Sequence, residues 1–210
     1  LSLFSIILEI TYQLNKIKSE KKILHLPIIL LHKLKHKENH FFKNNLEEKS
    51  IQLFKHLNRH KDIYGSCEKV SLLENNIGLM IEWENQKSNF LSIFIPTKDN
   101  AEILRKCIES IFKYNPGIDY EIIIINNNSK DKKTYDYFKE LLLHKFIKVI
   151  DIETKEFNYS YLNNQAALKA KGNIFLLLNN DTEFLSPGWG ARLSSLAARK
   201  DIGCVGVKLI

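Results

Sequence analysis

Tyr120-Glu121-Ile122-Ile123-Ile124-Ile125-Asn126-Asn127-Asn128-Ser129 is the stretch whose reading decides the fold of this chain. Four consecutive isoleucines form a run too short for a helix and too uniformly apolar for a half-exposed strand. Such a run fits a strand buried on both faces of a parallel sheet, and it ends abruptly in polar turn formers. Working outward, residues 101–114 are amphipathic, with Ile103, Leu104, Cys107, Ile108 and Ile111 on one helical face, and Pro116-Gly117 punctuates them. Residues 91–95 form an apolar run stopped by Pro96. On the other side, residues 132–143 read as helix, 146–152 as strand, 161–171 as helix, 174–178 as strand, 188–199 as helix and 204–209 as a last strand. Alternation at this spacing indicates an open α/β sheet with right-handed crossovers.

The first part of the chain reads differently. Over residues 1–88, Leu, Ile, Lys, Glu, Asn and His recur at three- and four-residue steps, as in Leu31 and Leu34 or Ile51, Phe54 and Leu57. This predicts mostly helix, with loops near residues 43–48 and 65–69 and a break at Pro27. His32, His36 and His40, and separately His56 and His60, share helical faces. Lysines crowd those faces and no Asp or Cys completes a ligand set. They read as a solvated basic face, not a metal site, and that partly amphipathic face suits peripheral contact with a membrane surface.

Composition sets outer bounds. The 210 residues are 44% hydrophobic and 26% charged, enough for a buried core and unlike a disordered chain. Lys and Arg number 31 against 24 Asp and Glu, a net charge of +7. The basic side is nearly all lysine, with Arg59, Arg105, Arg192 and Arg199 the exceptions, so the bidentate arginine chemistry of base readout is sparse and no nucleic-acid partner is expected. Lys, Asn and Ile enriched together read as the codon bias of an AT-rich genome. Cys67, Cys107 and Cys204 lack metal or disulfide spacing and suggest a reducing, cytoplasmic setting, with Cys107 and Cys204 as core residues. The apolar stretches at residues 3–10 and 23–31 are too short to cross a bilayer. The start at Leu1 in place of Met reads as a fragment.

In an open α/β sheet, ligands bind beyond the carboxyl ends of the strands. Three polar turns stand there: Pro96-Thr97-Lys98-Asp99-Asn100, Asn126-Asn127-Asn128-Ser129 and Asn179-Asn180-Asp181-Thr182. Each alone is an ordinary cap or turn; three at successive strand ends point to one site. Neither glycine-rich phosphate motif occurs, so a bound diphosphate would rely on a divalent cation held by carboxylate. Asp181 is the candidate ligand, with Glu183 close by.

Residues 91–210 resemble the nucleotide-sugar-binding half of a family 2 glycosyltransferase with the GT-A fold. The resemblance is carried by residues 91–97 and 120–129, Phe157-Asn158-Tyr159-Ser160 with Asn163-Asn164, and Gly172. It continues through residues 176–183, Ser186-Pro187-Gly188-Trp189, and Gly203 to Lys208. The Phe-Asn-Tyr-Ser segment is similar to the rhamnosyltransferase-like branch of surface-polysaccharide enzymes.

This resemblance implies a Rossmann-like, mostly parallel GT-A sheet over residues 89–210, truncated before the acceptor half. Residues 1–88 would be a helical extension or the tail of a preceding domain. It implies a metal-dependent transfer from a UDP- or dTDP-linked sugar to a glycan or lipid-linked glycan acceptor in polysaccharide synthesis, at a cytoplasmic or peripheral membrane location. Pro96 and Thr97 would line the nucleobase pocket. Asn126, where the wider family usually has Asp, would face the base, with Asn128 beside it. Asn179 and Asn180 would lie near the ribose and diphosphate, and Asp181 would hold Mn2+ or Mg2+. Asn158 and Asn164 would lie near the donor. A neutral Asn at 126 and 179 accepts hydrogen bonds more weakly than a carboxylate, so weaker donor and metal affinity is expected. No residue is assigned as the general base, which the resemblance places beyond Ile210. The competing reading is an inactive remnant or a non-catalytic binding module; a basic nucleic-acid binder ranks last.

Overall fold

The computed structural model describes residues 40–73, 78–85, 87–199 and 202–207. The chain divides into two compact units, Leu1–Glu84 and Asn85–Ile210. His32, His36 and the apolar stretches before residue 40 lie outside the described residues.

In the first unit, α1 (His40–Arg59) and the short α2 (Lys61–Tyr64) precede β1 (Cys67–Leu72) and β2 (Leu79–Trp83). The two strands pair antiparallel, Leu72 opposite Leu79 and Cys67 opposite Trp83, and Leu73 N–H donates to the Gly78 carbonyl at 3.0 Å. The helix expected before the sheet is therefore present, with two corrections. Residues 43–48 continue α1 where a loop was expected, and residues 67–72 and 79–83 form a hairpin within the stretch read as helical. The hairpin is stabilised by cross-strand pairing, which a single-strand pattern does not reveal. The Asn58 amide also holds it, donating to the Cys67 carbonyl at 3.0 Å and accepting Cys67 N–H at 3.2 Å as a neighbouring strand would. His56 and His60 are buried, with ring centroids 4.8 Å apart edge to face, so this part of the histidine stripe is not a solvated face.

The second unit is the expected α/β sheet. It runs β3 (Leu91–Thr97), α3 (Ala101–Lys113), β4 (Tyr120–Asn126), α4 (Lys132–Leu141), β5 (Ile147–Asp151), α5 (Tyr159–Ala167), β6 (Ile174–Leu177) and α6 (Trp189–Ala197). The sheet order is β5-β4-β3-β6, with every pairing parallel. The isoleucine run does what its composition demands. Ile122 and Ile124 join the core under α3 and α4, while Ile123 and Ile125 join a second core under α5, and all four are fully buried. Each such side chain contributes about 1.5–3 kcal/mol of burial, so β4 is the spine of the unit.

α5 runs over Tyr159–Ala167 against the expected 161–171, and two strand boundaries also differ from the sequence reading. β3 runs through Pro96 to Thr97 in place of stopping before Pro96. Leu91 N–H and the Thr97 carbonyl bond toward β4, and the Phe94 carbonyl bonds toward β6. By alternation the ring nitrogen of Pro96 faces β6, which has already ended, so the missing N–H leaves no gap in the ladder. Residues 204–207 form no strand, and Cys204 is exposed where a core position was expected. Gly203 and Gly206 interrupt that short apolar stretch, and no described strand pairs with it. Cys107 is buried as expected.

At the amino end of the sheet, a buried carboxylate ties three segments together. Glu121 Oε1 accepts from Ser92 Oγ at 2.8 Å and from Lys171 N–H, and Oε2 pairs with Lys148 Nζ at 2.8 Å. Burial pushes the Glu121 carboxyl upward, but Lys148, the Lys171 N–H and the Ser92 hydroxyl outweigh it and hold the group below its ordinary value. Gly172 fits beside this knot because it has no side chain: a Cβ there would lie 2.5 Å from the Phe90 carbonyl oxygen and 2.6 Å from Ser92 Oγ.

Two outcomes follow for stability. A carboxyl held below its unfolded-state value stabilises fully above the ordinary glutamate range and loses that contribution as pH falls through the folded-state value. Glu121→Gln should therefore cost about 1–3 kcal/mol at neutral pH, with the gap to wild type closing as pH falls below the ordinary glutamate range; thermal melting at several pH values measures it. In the same melts, Gly172→Ala should cost about 1–3 kcal/mol by overpacking against backbone that cannot move away.

Candidate active site

The parallel register carries Thr97, Asn126 and Asp151 to the same level at the carboxyl ends of β3, β4 and β5. Beyond these ends lies a cleft of about 260 Å³, lined by Pro96, Thr97, Lys98, Asn127, Phe157, Tyr159, Asn179 and Asn180. A larger hollow of about 560 Å³ lies at the opposite end of the sheet, lined by residues including Asn85, Asn115 and Asp119. It sits at the amino end of β4, the end that ligands of open α/β sheets do not use.

Four of the expected nucleotide-sugar residues meet in the cleft: Pro96, Thr97, Asn179 and Asn180. Asn180 Nδ2 donates to Thr97 Oγ1 at 3.1 Å, linking the first and third polar turns directly. The other four do not line it. Asn126 is buried, accepting Ser129 N–H at 3.1 Å and donating to Asp151 Oδ1 at 2.7 Å. Asn128 donates to the Thr154 carbonyl at 2.8 Å. Asn158 caps α5 by accepting Tyr161 N–H at 2.9 Å. Asn164 is exposed on α5.

Four further cleft residues stand in the motifs the sequence singles out but carry no individual role there. Lys98 directly follows Thr97, and Phe157 and Tyr159 flank Asn158, so the aromatic residues of that segment face the cleft while its amide serves the helix. Asn127 lines the cleft because it is the first residue past β4. Its N–H donates to the Thr97 carbonyl at 2.9 Å, and its Oδ1 accepts from Thr154 Oγ1 at 2.8 Å. Knowing where β4 ends would have distinguished Asn127 from Asn126.

The first two turns are clamped by Asp99. One oxygen, Oδ1, accepts the N–H groups of Lys130 and Asp131 at 2.6 and 2.8 Å, while Asp99 N–H donates to Ser129 Oγ at 2.8 Å. The backbone N–H groups of Asp131 and Lys130 hold the Asp99 carboxyl below its usual range. Asp99, Asn100 and Asn128 all adopt left-handed backbone, with φ of 54°, 56° and 59°. Asn and Asp tolerate that region better than other residues with side chains.

The third turn is held from beneath by one face of α3 and the residue after it. The Cys107 thiol meets the Asn179 carbonyl at 3.8 Å, Ser110 Oγ accepts Phe184 N–H at 3.0 Å, and the Tyr114 carbonyl accepts Trp189 Nε1–H at 2.8 Å. The Trp189 ring stacks on Phe184 at 3.5 Å. Burial, then the carboxylates of Asp181 and Glu183, push the Cys107 thiol up to about 12, so it stays protonated and is no nucleophile at neutral pH.

Asp181 is exposed, and its carboxylate is free of protein hydrogen bonds and ion pairs among the described residues. No group of three or more His, Cys, Asp or Glu poised for a metal occurs among those residues. That donor set fits a hard divalent cation that takes one or two carboxylates and completes its shell with phosphate oxygens and water. It does not fit a cation held by protein alone.

Asp99→Ala should lower the melting temperature, because it removes the acceptor and leaves a left-handed position that Ala resists. Asp99→Asn keeps an acceptor and a tolerant backbone and should stay nearer wild type. Equal losses in scanning fluorimetry would contradict the clamp.

Residues 92–209 match glycosyl transferase family 2. An uncharacterised protein of Sinorhizobium fredii is 34% identical over 128 residues, 60% of this chain and 14% of that protein. The O-antigen biosynthesis protein RfbC of Myxococcus xanthus is 33% identical over 120 residues, 57% of this chain and 9% of that protein. The chain thus spans a small part of the length of these relatives. A mannosyltransferase from Pyrobaculum calidifontis, solved with GDP-Man and Mn2+, aligns with a TM-score of 0.48 at 17% identity, covering 57% of this chain and 36% of that one. With more than half of its length matched, the chain belongs to glycosyl transferase family 2.

Proposed function

We propose that the cleft binds a nucleoside-diphosphate sugar, UDP- or dTDP-linked, as donor for transfer to a glycan or lipid-linked glycan in surface-polysaccharide synthesis. The observation that carries this reading is the convergence of Pro96, Thr97, Asn179 and Asn180 on one cleft, whose lining does not include Asp181 but reaches the residue before it, Asn180. Family membership supports the donor class. The likeness to an O-antigen biosynthesis protein, and the Phe157-Asn158-Tyr159-Ser160 segment, support the polysaccharide pathway and the rhamnosyltransferase-like branch.

The cleft's own residues divide the work. Phe157 and Tyr159 offer flat apolar faces on which a base or sugar ring can lie. Asn127, Asn179 and Asn180 offer amides for ribose and base hydroxyl, carbonyl and N–H groups. Lys98 supplies a cation at the rim, suited to phosphate. Asp181, with Glu183 two residues on, would hold Mn2+ or Mg2+ through carboxylate oxygens. When bound, such a cation offsets the charge of the departing diphosphate. Asn158 and Asn164 flank the donor from α5 in this reading, one through its cap and one from the exposed face.

The three thiols are free and support a reducing, cytoplasmic location. No helix among the described residues is long and apolar enough to cross a membrane. We place membrane contact, where it occurs, on the basic face of the first unit, and assign no nucleic-acid partner to the lysine-rich charge.

Titration calorimetry of the full chain with UDP should show binding strengthened by Mn2+. Asp181→Ala should remove that Mn2+ dependence and weaken UDP binding at least about tenfold in its presence, the loss of a charge-assisted contact to a desolvated ligand. Unchanged Mn2+ dependence in Asp181→Ala would overturn the metal assignment. Absence of UDP binding under both conditions would overturn the donor site.

A further inference from the structure

The Asn126 amide is the middle link of a hydrogen-bonded chain across three strand ends. Asp99 N–H donates to Ser129 Oγ, Ser129 N–H donates to Asn126 Oδ1, and Asn126 Nδ2 donates to Asp151 Oδ1 at 2.7 Å. The orientation of the amide is fixed by chemistry: a backbone N–H needs the oxygen, and a carboxylate needs the nitrogen. The Asn126 carbonyl on the main chain accepts Ile152 N–H at 3.0 Å, so β5 is held at this level through backbone and side chain together. Asn126 is buried, and its immediate neighbour Asn127 forms part of the cleft wall.

We propose that Asn126 is a positioning residue for the nucleotide cleft, an amide required by Asp151 and not a ligand contact. This inference rests on reading the cleft as the nucleotide site. Each polar atom of the side chain is hydrogen-bonded within the protein and the residue is buried, so the side chain is not presented to a ligand. The amide accepts from Ser129 and donates to Asp151 at once, which an ionised carboxylate cannot do. An aspartate at 126 would set two carboxylates within about 2.7 Å of each other, an arrangement that like charges do not tolerate without taking up a proton or moving apart. Movement there displaces Ser129, hence the Asp99 clamp, and Asn127 in the wall. Asn at this position is therefore matched to the carboxylate one strand away.

The test is UDP affinity in the presence of Mn2+ for the full chain and four variants, each with its melting temperature. Asn126→Asp should weaken binding about tenfold, the loss of a hydrogen bond to a charged group. Combining it with Asp151→Asn should restore affinity to within about threefold of wild type, because the amide introduced on β5 can then donate to the carboxylate introduced on β4. Asp151 is exposed, so variants there test the same link without burying a charge. Asp151→Ala should weaken binding about fivefold while Asp151→Asn, which keeps an acceptor for Asn126, stays within about twofold.

A merely structural role would move the melting temperatures in this pattern and leave the affinity of the folded variants unchanged, which would overturn the proposal. Asn126→Asp binding as tightly as wild type, or a double variant no better than the single one, would do the same. If Asn126→Asp does not fold, the Asp151 pair decides. Wild type that melts cooperatively yet binds no UDP would instead remove the donor-site reading, and this inference with it.

Discussion

The parallel register of β3, β4 and β5 is the constraint on which the rest depends. It sets Thr97, Asn126 and Asp151 side by side, so that one polar row closes two hydrogen-bonded ladders at a single level. That register is enforced by the isoleucine run, because a one-residue slip would exchange the residues facing α3 and α4 with those facing α5. Both cores are buried, so the strand ends are fixed from below.

Three short-range devices then shape the loops that leave the row. Asp99 collects two N–H groups on one oxygen and binds the first turn to the second. Asn180 reaches Thr97 and binds the third turn to the first. α3, with Tyr114 just past it, carries the third turn on Cys107, Ser110 and Tyr114, positions spaced to share a helix face. At the far end of the sheet, the Glu121 knot fixes the approach to β6, and so the position from which Asn179, Asn180 and Asp181 emerge. Asp181 is left without protein partners among the described residues, as a group reserved for a cation and its phosphates would be.

Much of this was legible in the chain. The strand run at residues 122–125 has a composition that one environment satisfies, and the alternation around it fixed the order of elements. The three polar turns were correctly located because strand ends are where apolar runs stop. The finer assignments were less visible, and for identifiable reasons. Asn126, Asn127 and Asn128 are identical in chemistry, and which one reaches the cleft depends on the residue at which β4 ends. The Asn158 side chain is taken by a helix cap that propensity favours as strongly as any ligand role. The hairpin over Cys67–Leu72 and Leu79–Trp83 is held by pairing and by Asn58, neither of which is a local pattern. Pro96 looked like a strand stop until the direction of its nitrogen was known.

The central claim is that the cleft at the carboxyl ends of the strands is where a nucleoside diphosphate binds. Amide chemical-shift mapping of the full chain, titrated with UDP in the presence of Mg2+, tests it most directly. The account predicts perturbations centred on Thr97, Lys98, Asn127, Tyr159, Asn179, Asn180 and Asp181. Perturbations centred instead on Asn85, Asn115 and Asp119 at the opposite end of the sheet, or none at saturating nucleotide, would contradict it.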